Sequence, residues 1–225
     1  MKLYMHPVSM TSRPVRLFIA ENRLDVEEQV VDLMTGEHLK EPYTAINPNK
    51  LVPLLEDGDM RLTESSTILR YLASKFDLPD YPKDLKLRAK VDEMMDWFNT
   101  QFYRDFGYGL AYPQIFPHHK RPSDEQQTGT IAWGKERAQG WFQILNDHWL
   151  GPKKQYLVGD RLSVADYFGS CLATLGEVIR CDFAKGYPNV NRWLGNMKKL
   201  GSWSRVNEAL YGFASMVKDQ PFVAL

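Results

Sequence analysis

The sequence predicts an α/β domain followed by an all-helical one. Three observations predict it. The first third of the chain alternates short apolar strands with amphipathic helices. A proline-rich connection, Leu78-Pro79-Asp80-Tyr81-Pro82-Lys83-Asp84, then breaks the pattern and reads as a domain boundary. Beyond it, every periodic segment is helical. The expected division is 1–77 for the first domain, 78–86 for the linker and 87–225 for the helical domain.

Lys2 to Met5 reads as a short strand. Ser12-Arg13-Pro14 has the form of a helix start, with Ser12 as the cap and proline in the first turn. Val15, Phe18 and Ile19 supply its apolar stripe, and Asn22 ends it. Glu28 to Leu33 is a second strand, and Gly36 to Ala45 a short irregular helix. Val52, Leu54 and Leu55 mark a third strand, joined by the turn Asp57-Gly58-Asp59 to a fourth at Met60 to Leu62. After Glu64-Ser65, the residues Ile68, Leu69, Leu72 and Phe76 recur at helical spacing. In the second domain, helices are expected from Leu87 to about Tyr112 and from Asp124 to His148, with others at 163–180, 188–199 and 202–213.

Composition narrows the function classes. Lys+Arg 28 balances Asp+Glu 28, so the chain carries no electrostatic footprint for nucleic acid or an anionic membrane. The opening MKLYMHPVSM lacks the apolar core of a signal peptide, and no run approaches membrane-spanning length. Cys171 and Cys181 make no disulfide framework. They are read as reduced thiols of a cytoplasmic protein.

Two motifs carry the argument. In Asn47-Pro48-Asn49-Lys50-Leu51-Val52-Pro53-Leu54-Leu55, a Val-Pro bond opens an apolar strand. Proline gives up a ladder donor there, and its peptide bond tolerates the cis form. Val52 is left to pair with an extended peptide laid alongside. In Leu62-Thr63-Glu64-Ser65-Ser66, a helix starts whose free N–H groups attract a carboxylate. Together they describe a receptor for a small, anionic, extended peptide. In the second domain, Gly159-Asp160-Arg161-Leu162-Ser163-Val164-Ala165-Asp166-Tyr167 contains a capping box. Ser163 and Asp166 exchange bonds at a helix start, with Leu162 and Tyr167 placed as a hydrophobic staple.

These residues resemble those of soluble glutathione transferases. The Val52-Pro53 and Glu64-Ser65 pair is similar to their glutathione site, in a thioredoxin-like N-terminal domain. The phrase around Ser163 looks like the capping box of their buried second-domain helix. The resemblance is to the serine-using theta and delta classes and related bacterial enzymes. It covers nearly the whole chain and is strongest over 1–77. Gly36-Glu37-His38-Leu39 and Arg88-Ala89-Lys90-Val91-Asp92-Glu93 add to it.

The resemblance implies roles. Counting from Leu3-Tyr4, Ser9 falls at the position of the serine that activates the glutathione thiol, with Ser12 and Thr11 as alternates. Tyr4 lies too early on the strand to serve. Glu64 and Ser65 are expected to hold the γ-glutamyl end, Val52-Pro53 the cysteinyl backbone, and His38 and Lys50 the glycine carboxylate. Where theta-like relatives have lysine beside Val-Pro, this chain has Leu51, so Lys50 reaches from one residue earlier. Arg13 is read as one half of a structural ion pair. Met10, Phe102, Phe106, Tyr108, Tyr112 and Phe116 are expected to wall a pocket for a small hydrophobic electrophile, between the domains.

One serine is energetically sufficient. Lowering a thiol from about 8.5 to below 7 takes roughly two units, or about 2.7 kcal/mol. A hydroxyl donating to a thiolate supplies about 1.5–3 kcal/mol, and a helix N-terminus adds roughly 0.3–1 kcal/mol. No metal is expected, since His118-His119 stand without convergent carboxylates or cysteines. Gly107-Tyr108-Gly109 lacks the third glycine of a dinucleotide fingerprint. The competing readings are a glutathione-dependent isomerase, dehalogenase or etherase on the same fold, and a regulatory protein that binds glutathione without catalysis. The resemblance also implies a homodimer.

Overall fold

A computed structural model describes all 225 residues. Four strands form one mixed sheet in the order β2-β1-β3-β4. β1 (Lys2–Met5) runs parallel to β2 (Glu27–Val30) and antiparallel to β3 (Leu54–Asp57). β3 pairs antiparallel with β4 (Met60–Leu62), bringing Leu3, Leu55 and Leu62 into line across the sheet. Leu3 and Met5 alternate onto the face that α1 (Ser12–Glu21) and α3 (Ser65–Lys75) cover. Val31, Tyr43 and Val52 cover the other face, against Tyr4.

β2 ends at Val30, short of the expected Leu33. The Asp32 carboxylate accepts from the Met34 and Thr35 N–H groups, and that local turn replaces the ladder. The expected helix over 36–45 is two separate turns, a 3-10 turn at Glu37–Leu39 and α2 at Tyr43–Ile46. Pro42 stands between them and cannot donate to a continuous helix.

The second unit begins with α4 (Leu85–Trp97), capped by the Asp84 carboxylate, which accepts from Leu87 N–H at 2.9 Å. The helix continues from Phe98 to Ala111 with wider π-type winding, then ends in α5 (Tyr112–Ile115). α6 (Asp124–Ile144) packs along it and runs into a second π-type turn at Leu145–Leu150. The contact is backbone on backbone: a Cβ on Gly134 would overlap the main chain of Gly109.

The helix expected over 163–180 is two, α7 (Val164–Ala173) and α8 (Leu175–Val178). All ten residues of α7 are buried, as the central element of the unit. α9 (Phe183–Gly186), α10 (Pro188–Met197) and α11 (Trp203–Met216) complete the chain. One cluster of buried apolar residues contains Phe18 and Leu72 of the first unit as well as Phe98, Phe168 and Trp193 of the second, so the two share a core. Cys171 and Cys181 are free, and burial pushes each thiol up to about 11. No helix is long and apolar enough to cross a membrane.

Candidate active site

The β1–α1 turn, the loop before β3 and the start of α3 meet at a cleft of about 240 Å³. Thr11, Leu51, Val52, Pro53, Glu64 and Ser65 line it, with Asn47, Asn49 and Thr63. Asn99, Tyr103 and Tyr108 close it from the helical unit. A cavity of about 360 Å³ adjoins it and shares Thr11, Leu51, Val52, Tyr103 and Tyr108. Ser9, Met10, His38, Lys50, Tyr112 and Phe116 belong to this second space.

The three candidate hydroxyls of the turn are sorted by their bonds. Ser12 is not the cap: it is the first residue of α1, fully buried, and its Oγ accepts from His6 N–H at 3.4 Å. Ser9 takes the capping role, because its Oγ accepts from Ser12 N–H at 3.2 Å. Thr11 Oγ1 donates to the Val52 carbonyl at 3.0 Å and lies 3.2 Å from Ser9 Oγ. A hydroxyl has one proton. Thr11 commits its own to Val52, so the proton between Thr11 and Ser9 is Ser9's, and only Ser9 can turn its proton to a new acceptor without breaking a bond to the strand loop.

That loop is held from below. The Leu51 carbonyl accepts from Tyr43 Oη at 2.6 Å and from Asn47 Nδ2 at 2.7 Å. Lys50 sits in the left-handed region (φ 58°), with Leu51 60% exposed beside it. The Val52-Pro53 peptide bond is cis. Glu64 is also left-handed (φ 64°), a conformation that costs a non-glycine residue about 1–3 kcal/mol. No side chain caps the helix that follows, so its positive end faces the cleft. Asn99 Nδ2 donates to Ser66 Oγ at 3.0 Å and ties the helical wall to this start.

The wall itself departs from the expected one. Phe102 and Phe106 are fully buried against Phe142 and line neither space. The reason is the winding. With i→i+5 turns, Tyr103, Tyr108 and Tyr112 fall on one face and meet edge to face, while the phenylalanines turn into the core. Burial raises the pKa of all three tyrosines, so they remain protonated donors. Tyr103 and Tyr112 share a hydroxyl–hydroxyl bond.

Arg13 likewise makes no ion pair. It is fully buried, and its guanidinium donates to Asn207 Oδ1, to the Cys171 carbonyl at 2.9 Å and to Thr174 Oγ1 at 3.1 Å. It joins α1 to the helical unit through neutral acceptors and steadies the turn that carries Ser9.

The chain matches the family model "Glutathione S-transferase, N-terminal domain" over residues 1–74 and "Glutathione S-transferase, C-terminal domain" over 134–200. It is 34% identical over 200 residues to human glutathione S-transferase theta-1, covering 86% of this chain and 80% of that protein. The chain belongs to the glutathione S-transferase family. The mouse theta-1 enzyme is 32% identical, over 98% of this chain and 91% of that protein. Human glutathione transferase theta-2, solved in complex with glutathione and an unknown ligand, superposes with a TM-score of 0.85 at 27% identity, over 99% of this chain and 92% of that one. A delta-class transferase of Nilaparvata lugens superposes at 0.78 with 29% identity, over 96% and 98% of the two chains.

In this transferase the first unit is the four-strand mixed sheet of a thioredoxin-like domain, followed by the helical C-terminal one. Sequence reasoning missed Asn47, Asn49, Thr63, Asn99 and Tyr103 in the cleft, and His6, His118 and His119 in the cavity beside it. The spacing of Asn99 and Tyr103 was a usable signal, since residues four apart share a helix face.

Proposed function

We propose that this chain binds glutathione with its γ-glutamyl end in the smaller cleft and its glycine end reaching into the adjoining cavity, and activates its thiol through Ser9 for attack on a small hydrophobic electrophile on the aromatic side of that cavity. The γ-glutamyl carboxylate meets the open start of α3 at Glu64 and Ser65. The cysteinyl backbone pairs with Val52 beside Pro53, and the glycine carboxylate meets His38 and Lys50. Ser9 then faces the sulfur. The thiol gives its proton to solvent, Ser9 donates a hydrogen bond to the thiolate, and the sulfur pair forms the new S–C bond as the electrophile's leaving group departs with its bonding pair into solvent.

The observation that carries this reading is the bonding of the turn. Thr11 is committed to the Val52 carbonyl, Ser12 is buried away from both spaces, and of the three only Ser9 can redirect its proton, now shared with Thr11, into the cavity. The family membership supports it. The same support extends to the division at 78–86, to a cytoplasmic location and to a two-fold homodimer. A sedimentation mass near the 26.1 kDa of one chain at micromolar concentration would exclude the dimer.

The reading is tested by calorimetry with glutathione. Wild type should bind, and Ser65→Ala should lose roughly 1.5–3 kcal/mol, the scale of a hydrogen bond to a charged group. Unchanged affinity would remove Ser65 from the site, and no binding by wild type would remove glutathione.

A further inference from the structure

The chain has five histidines, and four of them, His6, His38, His118 and His119, line the larger cavity. No carboxylate lines it. No histidine is in an ion pair, and His38 Nδ1 is buried without a hydrogen-bond partner. The four do not form a metal site, since no three potential ligands converge. On the acceptor side, the His119 ring lies 5.2 Å from Tyr112, 5.4 Å from Tyr108 and 4.5 Å from His118. His118 stacks on Phe116.

The proposed function assigns His38 and Lys50 to glutathione. His118 and His119, on the loop after α5, remain. Resting on that reading, we propose that the acceptor electrophile is a flat aromatic compound carrying a carboxylate, with the ring among Tyr108, Tyr112 and Phe116 and the carboxylate on His118 and His119. The surrounding charge fits: Arg121 on the same loop acts on His119, and the nearest acids, Asp32 and Glu64, act on His6 and Tyr108 and not on this loop. Burial holds the pKa of His38 and of His119 below the ordinary value, and repulsion from His118 adds to it. An entering carboxylate brings an opposite charge that works against this lowering and draws a proton onto His119. A neutral electrophile gains only the aromatic contacts.

The test uses two synthetic conjugates, S-(carboxynitrophenyl)glutathione and its matching carboxamide, which differ only in charge at the far end of the ring. Calorimetry at about pH 6 should show the carboxylate conjugate binding roughly tenfold tighter, the scale of a charge-assisted hydrogen bond. The preference should shrink toward parity at about pH 8, and binding of the carboxylate form should take up protons from the buffer. A His118→Gln, His119→Gln double variant, checked for its fold by thermal unfolding, should bring the ratio near one. Equal affinity of the two conjugates for wild type at about pH 6 would overturn the inference while leaving glutathione binding intact. Failure of both conjugates and of glutathione itself to bind would overturn it together with the function it rests on.

Discussion

α3 and α7 begin with similar residues and reach opposite states. At α7, Ser163 N–H donates to the Asp166 carboxylate at 3.0 Å, and Asp166 N–H to the Ser163 carbonyl at 2.9 Å. Val164 N–H donates to the Asp80 carbonyl of the interdomain connection. Leu157 N–H and Trp193 Nε1 fill the other carboxylate oxygen. The start is sealed, with Ser163 and Asp166 buried. At α3, Glu64 is exposed and strained and caps nothing, and the first turn opens on the cleft. An acidic residue beside serine at a helix start is therefore no guide to role. What decides is whether the free N–H groups find partners inside the protein. The sealed start is closed within the core, and the open one leaves its N–H groups facing the cleft.

The largest effect should come from breaking the sealed start. Asp166→Ala removes the acceptor of four buried donors and should cost about 3–5 kcal/mol in denaturant unfolding. A loss under about 1 kcal/mol would deny that α7 depends on its cap. Burial pushes the Asp166 carboxyl up to about 6, against the bonds from Leu157, Trp193 and Ser163 that lower it. A raised folded pKa gives stability that is full below the unfolded value near 3.8 and lost as pH rises through about 6. The penalty of Asp166→Ala should therefore be about 1 kcal/mol larger at about pH 5 than at about pH 7. Ser65→Ala sharpens the contrast from the other side. Its loss should fall on glutathione affinity, with stability moved by less than about 1 kcal/mol.

What the sequence made legible was local. Val52-Pro53, Glu64-Ser65 and the Ser163 to Asp166 box declare themselves through residue types a few positions apart, and the four strands follow from short apolar runs set between turn residues. What stayed hidden depends on distant partners. The π-type winding that sends Phe102 inward and Tyr103 outward comes with close packing of Gly109 on Gly134, from a helix some twenty-five residues on. Arg13 finds Asn207 and Cys171, which no spacing rule connects to it. Ser12 looked like a cap because Pro14 suggested a later start, whereas the chain already turns at Ser9. The histidine wall was invisible because His6, His38 and His118-His119 are scattered in the sequence and meet only in the fold.

The central claim is that Ser9 holds the thiolate. Ultraviolet absorbance of enzyme-bound glutathione thiolate, followed against pH, tests it directly in wild type, Ser9→Ala and Ser12→Ala. Ser9→Ala should return the bound thiol about two units toward its solution value, cutting the thiolate fraction at neutral pH roughly tenfold to a hundredfold. Glutathione affinity should change much less, because its carboxylates are held elsewhere. Ser12→Ala should leave the titration in place and cost about 1 kcal/mol of stability through the unpaired His6 N–H. A titration unmoved by Ser9→Ala would contradict the account, and a shift in Ser12→Ala instead would hand the role to the residue found buried.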